Sequence, residues 1–332
     1  MKVVQKRHSM KLTSAESLLT TFILSFILIQ ACTNKSSDSA VISRIANDIG
    51  YTTASSGGEV DNKKNVEFRS RGVCWSTLEN PTLENNKTDE GSGKGSYISR
   101  LTGLKPGVTY YLRAYAVTGV DTIYGNDISF TTLNYGRVTD IEGNRYKTIV
   151  IGSRTWMAEN LRTTRYTDST LIPNVKDADT WASLSTPAYC WYKNSEAAFK
   201  SMYGAIYNWY TVNTARLCPE GWHVPADTEW DDLTLLLGGE KTAGGKLKET
   251  GDSYWSTPNA GATNEYRFSS LPGGLRYYDG NFRDFGFGGY FWSSSEFSNE
   301  RAFFRFMFYE DASMYRFDND KKNGFYVRCI KD

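Results

Sequence analysis

The chain has 332 residues, enough for two domains each with its own core. Its 38 basic and 37 acidic side chains leave a net charge of +1 with no block of like charges. That disfavours a nucleic-acid partner, because phosphate binding needs clustered Lys and Arg. Two histidines are few for an imidazole-based metal centre, whereas aromatics are abundant at 14%.

In chain order, the first feature is a targeting segment. Lys2, Lys6, Arg7, His8 and Lys11 precede an apolar run, Leu18 to Ile29. A bilayer span takes about 20 residues, so this shorter run reads as a signal peptide over 1–31 rather than a membrane helix. Ile29-Gln30-Ala31-Cys32 follows and resembles a bacterial lipobox. The resemblance implies cleavage before Cys32, lipidation at that residue, and a membrane partner reached through the lipid anchor. The expected location is the cell envelope, on the surface-exposed side of the outer membrane. Residues 32–42 are polar and read as a flexible tether. Four cysteines remain, Cys74, Cys190, Cys218 and Cys329. An exported protein can oxidise them, and three pairings of four are open.

Residues 43–133 read as strands and turns. After the Pro106-Gly107 turn, Tyr110, Leu112, Ala114 and Ala116 alternate with Tyr111, Arg113, Tyr115 and Val117. Period two gives one buried and one exposed strand face. A Leu-x-Pro-Gly turn leading into a strand that opens on Tyr is the tyrosine-corner arrangement of β-sandwiches. With Arg71-Gly72-Val73-Cys74-Trp75-Ser76, the segment resembles the fibronectin type III domains of exported Bacteroidota proteins. Cys74 falls in mid-strand and reads as a buried, free thiol. This domain reads as a spacer or accessory binding module.

Residues 134–332 hold eight of the nine tryptophans, all but Trp75. Gly143-Asn144 reads as a turn into a strand. Tyr203, Ile206, Tyr207 and Tyr210 fall at i, i+3, i+4 and i+7, which predicts a helix. A second helix is expected from Ala226 or Asp227, through Trp230, Leu233, Leu236 and Leu237, to a stop at Gly238-Gly239. Ala226 has no side-chain acceptor, so Asp227 is expected to cap it, with Glu229 completing half of a capping box. Strands are expected where Ala302, Phe304, Phe306 and Phe308 alternate with Phe303, Arg305 and Met307, and again over Phe325, Val327 and Cys329. Short helices before an antiparallel sheet make an α+β domain.

Seven stretches then occur in order: Trp156 to Leu161, Tyr203 to Tyr210, Cys218 to Pro225, Gly244 to Thr250, Leu271 to Gly274, Tyr290 to Glu296 and Gly324 to Cys329. Together they resemble the Fibrobacter succinogenes major paralogous domain, which is similar to C-type-lectin-like folds. The implied architecture is multidomain, an all-β fibronectin type III-like sandwich followed by an α+β C-type-lectin-like domain. The family resemblance implies a surface-exposed bacterial domain without an established activity. The fold resemblance implies a disulfide between Cys218 and Cys329, tying the helical part to the last strand. The segment leading into the second helix is also similar to that of formylglycine-generating enzymes. Their reactive cysteine pair near the domain's end is not matched here, so that chemistry is not carried over. Cys190, among Tyr189, Trp191 and Tyr192, reads as buried and free. His223, beside Trp222, reads as a packed, hydrogen-bonded core residue, and Leu217 to Trp230 as a structural corner.

The ligand candidates lie in Leu271 to Glu296, which holds six glycines. They are Arg276, Tyr277, Tyr278, Asp279, Asn281, Asp284, Trp292 and Glu296. Aromatic faces stack on the C–H faces of sugars while carboxylates and amides bond the hydroxyls, and in C-type-lectin-like folds the equivalent loop carries ligands. The expected partner is a glycan or protein at the cell surface, bound without catalysis and without an organic cofactor. Asp318, Asn319 and Asp320 supply hard oxygens and are the calcium candidates. Two alternatives stand beside this: a structural surface component without a ligand, and a polysaccharide-acting enzyme using paired carboxylates among Asp279, Asp284 and Glu296.

Overall fold

The computed structural model describes residues 39–62 and 66–332. The signal peptide and the expected lipidation at Cys32 lie outside the described residues. Among the described residues, no helix is long and apolar enough to cross a membrane.

Eight strands build the first domain: β1 Ser39–Asn47, β2 Ala54–Asn62, β3 Ser70–Ser76, β4 Asn86–Lys87, β5 Gly95–Leu101, β6 Thr109–Val117, β7 Thr122–Tyr124 and β8 Ile128–Thr131. They form two antiparallel sheets, β1-β2-β5 facing β4-β3-β6-β7, with β8 also paired to β6. This is a fibronectin type III-like sandwich. The alternation in β6 has the expected outcome: Tyr110, Leu112 and Ala114 point into a core shared with Val73, Trp75 and Leu101. The tyrosine corner is formed, with the Tyr110 hydroxyl accepting a bond from Lys105 N at 3.0 Å. Cys74 is buried and free, and burial pushes its thiol up to about 11. One boundary is corrected. Strand β1 begins at Ser39, so residues 39–42, read as tether, belong to the sandwich because they pair in register with β2.

The second part continues with β9 Gly136–Thr139, β10 Arg145–Ile151, β11 Arg154–Met157, α1 Ala178–Ala182, β12 Tyr189–Cys190, α2 Glu196–Tyr203, β13 Ile206–Asn208, α3 Trp209–Val212, β14 Trp222–His223, α4 Asp227–Leu236 and α5 Glu240–Leu247. It closes with β15 Gly273–Arg276, β16 Phe282–Phe285, β17 Gly288–Glu296, β18 Arg301–Phe308, β19 Tyr315–Asp320, β20 Gly324–Phe325 and β21 Ile330–Lys331. One sheet runs β14-β21-β11-β10-β9; an eight-stranded one runs β12-β13-β20-β15-β17-β18-β19, with β16 paired to β15. The domain is therefore β-dominated and multi-sheet, with few and short helices.

Two elements differ from the sequence reading. The helix expected over 203–210 does not exist as one piece. α2 ends at Tyr203, where Gly204 takes φ +80 and a Cβ would lie 2.7 Å from the Leu161 carbonyl. The chain then turns extended, and β13 pairs with β12 and β20. Ile206, Tyr207 and Asn208 are buried whichever way they point, and a strand covered on both faces carries no period-two signature. The strand expected over 325–330 is likewise split into β20 and β21.

The two parts meet as one compact unit. Tyr51 of the sandwich is buried against Tyr135, rings 5.4 Å apart, and its hydroxyl accepts from Val150 N at 2.7 Å. Arg100 pairs with Glu265 at 2.9 Å across the same joint.

Candidate functional site

The corner from Leu217 to Trp230 is held by its own bonds. Cys218 and Cys329 form the disulfide, Cα atoms 5.9 Å apart. Helix α4 starts where expected, but Asp227 does not cap it. Ala226 holds the cap position, and Glu229 Oε2 accepts from Ala226 N at 2.9 Å. Asp227 turns instead to Arg305 (2.6 Å) and Arg316 (2.6 Å). Arg305 is buried at 1% exposure and also meets Asp231 at 2.7 Å. Burial works against the Asp227 charge, but the bonds from Arg316 and Arg305 outweigh it and hold the carboxyl below its usual range.

His223 is not a packed core residue: its side chain is 41% exposed. Its ring lies between two carboxylates, Nδ1 2.5 Å from Asp332 Oδ1 and Nε2 2.9 Å from Glu229 Oε2. Burial alone would lower its pKa, yet the bonds to Asp332 and Glu229 raise it. The carboxylates address opposite ring nitrogens, so they do not converge on one point. Among the described residues, no three His, Cys, Asp or Glu side chains form a metal-holding group.

The structure separates the ligand candidates into two sets. Arg276 and Trp292 are fully buried and cannot meet a ligand. Arg276 donates to the carbonyls of Gly280, Val175, Lys176 and Asp177 at 2.6–3.0 Å and sits over the Trp181 ring. Trp292 donates its indole N–H to the Tyr207 carbonyl at 2.9 Å and packs on Phe325. Both lie in strands, β15 and β17, rather than in an open loop. Cys190 is buried and free as read, its thiol pushed up to about 12 by burial.

The second set reaches solvent on the β15–β16 hairpin and, for Glu296, at the end of β17. Tyr278 is 42% exposed and packs on Tyr277, over which Arg283 stacks at 4.0 Å. Asp279 accepts from Arg283 at 2.5 Å and from Asn281 N at 3.0 Å. Asp284 accepts from the Tyr290 hydroxyl at 2.6 Å. Glu296 is engaged by Lys321. The three carboxylates proposed as a catalytic pair thus have three different partners.

Tyr290 leads from this hairpin to a feature the sequence reading missed. Its ring stacks on Phe306 at 5.5 Å, which stacks on Tyr315 at 4.8 Å and touches Phe317 at 5.8 Å. Register places Phe304 opposite Phe317 and Phe306 opposite Tyr315, so these rings share one face of β18 and β19. The ladder starts in the buried Trp292–Phe325 pair and ends at Phe317, 54% exposed on the sheet's edge strand. The period-two signal of Phe304, Phe306 and Phe308 was legible. The other face carries Arg305, which reaches Asp227 of α4, while on the ladder's face Ala302 and Phe304 are buried, Phe306 is partly buried and only the end at Phe317 is exposed.

The calcium candidates lie consecutively on β19, so Asn319 points away from the face shared by Asp318 and Asp320. Asp318 is paired with Arg301 at 2.7 Å and Asp320 lies 3.8 Å from Lys322.

The model of the Fibrobacter succinogenes major domain matches residues 149–331. No curated protein matches the chain. Among solved structures, the chain is similar to the sensor domain of the anti-sigma factor RsgI4 of Pseudobacteroides cellulosolvens, with 16% identity, 30% of this chain and 98% of that one covered, and a TM-score of 0.23. A human fibronectin type III domain is similar at 19% identity, covering 28% of this chain and 73% of its own, with a TM-score of 0.21.

Proposed function

The chain belongs to the Fibrobacter succinogenes major domain family, and from that premise we propose that it is a lipid-anchored cell-envelope protein whose second domain, C-type-lectin-like, binds a glycan without acting on it. The lipid is carried on Cys32 and the anchor is in the outer membrane, with the sandwich as the stalk. The observation that carries the reading is the aromatic face. Phe317 is exposed at the edge of the sheet, where it continues the stack of the partly buried Phe306 and Tyr315, and Tyr278 is exposed among the charged side chains of the β15–β16 hairpin. An exposed apolar patch rimmed by polar groups marks an interaction site. Rings of this kind stack on the C–H face of a pyranose, and the rim supplies donors and acceptors for its hydroxyls.

The test is a glycan array probed with the full chain in detergent micelles. Reproducible hits are expected for the wild type and should be lost in Phe317→Ala and Tyr278→Ala, whose unfolding midpoints stay within a few degrees of wild type. A blank wild-type array, or hits that survive both substitutions, overturns the reading.

A further inference from the structure

A separate cavity of about 230 Å³ opens beside the joint between the two parts. Its lining includes Tyr135, Lys147, Glu159, Glu249, Arg267 and Arg328. Three cations face two carboxylates, so the lining is net positive by one charge.

None of the three cations is paired with either carboxylate. Glu159 accepts from Lys147 N at 3.0 Å, and Glu249 accepts from Thr250 N at 3.0 Å and Asn264 Nδ2 at 2.9 Å. The Lys147 amine lies over the Tyr135 ring at 5.4 Å. Arg267 makes no side-chain hydrogen bond or ion pair among the described residues, and its Nε is buried without a partner. It is also held at φ +58, a region costly for a long side chain. Arg328 is 2% exposed and donates only to neutral oxygens: Asn160 Oδ1 at 2.6 Å and the carbonyls of Met157, Phe268 and Ser269. Burial lowers it to about 9, so it keeps its charge at neutral pH. Arg276 and Lys248 are also buried and bonded to carbonyls, but neither borders this cavity.

Buried charges are normally paired, and an orphaned guanidinium N–H costs free energy unless something fills the place. An anion arriving here meets the Arg267 guanidinium, which no carboxylate among the described residues neutralises, and the Arg328 charge behind it, and a guanidinium is the group best suited to hold a carboxylate. The Tyr254 ring in the same lining, 36% exposed, offers a flat apolar wall. The volume is below that of drug-sized pockets and admits one small ring rather than a chain of them. We propose that this cavity is a binding site for a carboxylate-bearing monosaccharide of the hexuronate class, with Arg267 as the residue that selects the acid over a neutral sugar. The proposal rests on the glycan-binding reading above and adds a second, charge-selective subsite distinct from the aromatic face. Tyr51, stacked on Tyr135, lets the first domain buttress one wall.

The experiment is calorimetric titration of the full chain in micelles with glucuronate, galacturonate and methyl glucoside at neutral pH. Saturable binding of a uronate is expected, at least tenfold tighter than methyl glucoside. Arg267→Gln should weaken the uronate at least tenfold with an unchanged unfolding midpoint; Tyr254→Ala, at the exposed rim, should weaken both sugars alike. Phe317→Ala should leave the titration as in the wild type. No saturable uronate binding, equal binding of the neutral sugar, or no effect of Arg267→Gln overturns the proposal. The array and the titration fail separately: a blank array with uronate binding intact removes the aromatic face alone, and array hits with a blank titration remove this cavity alone.

Discussion

Replacing Asp227 by Asn tests the ion cluster that fastens α4 to the sheet. The side chain keeps its shape but loses the charge that faces two guanidiniums. Arg305 is 1% exposed, and its bonds at 2.6 Å to Asp227 Oδ1 and 3.1 Å to the Asp227 carbonyl are the inner ones. Breaking a buried ion pair from one side costs about 3–5 kcal/mol, chiefly because the remaining charge is stranded. Asp231 still reaches Arg305 at 2.7 Å from an exposed position, so the lower end, about 3 kcal/mol, is expected. Urea unfolding followed by tryptophan fluorescence reads it, since eight of nine tryptophans lie in the second part. The deficit also has a pH signature. The folded carboxyl titrates below its unfolded value, near 3.9, so its contribution is complete above that pH and is lost as pH falls through the lower folded value. The wild type and Asp227→Asn should therefore converge in acid. A loss below about 1 kcal/mol at neutral pH, or a gap that persists at low pH, would refute the assignment of the cluster as a stabilising buried network.

Serine at both Cys218 and Cys329 frees a loop spanning 111 residues, and loop closure of that length contributes about 4–5 kcal/mol. The tryptophan-detected urea midpoint should fall accordingly, and a midpoint within experimental error of the oxidised wild type would contradict it. His223 has its folded pKa raised, so its contribution is complete below about 6.5 and is lost as pH rises through the folded value. The stability difference between wild type and His223→Gln should thus shrink on going from pH 5 to pH 9; a constant difference, or one that grows, would show that the Asp332 and Glu229 contacts do not favour the imidazolium.

Local chemistry was legible wherever a residue's role is set by its near neighbours. The Tyr110 corner, the Gly143-Asn144 turn and the start and stop of α4 all depend on spacings of a few residues, and all are found where the sequence places them. Roles fixed by distant parts of the chain were not legible. Arg276 looks like a ligand group in a glycine-rich stretch, yet three of the carbonyls that hold it belong to Val175, Lys176 and Asp177, about a hundred residues upstream. Asp227 looks like a cap because its spacing fits one, but Arg305 and Arg316 outcompete the helix N-terminus for it. Tyr207 has helical spacing to Tyr203, which loses to a β partner, Phe325, more than a hundred residues away. The same logic applies to the aromatic ladder. Phe304, Phe306 and Phe308 announce a strand face, but a strand has two, and only the fold shows that the Arg305 side meets Asp227 of α4 while on the other Phe304 is buried, Phe306 partly buried and Phe317 exposed. Which rings stay exposed, Phe317 and Tyr278 among them, is therefore settled by what the fold lays over each strand face, and no spacing of a few residues carries that.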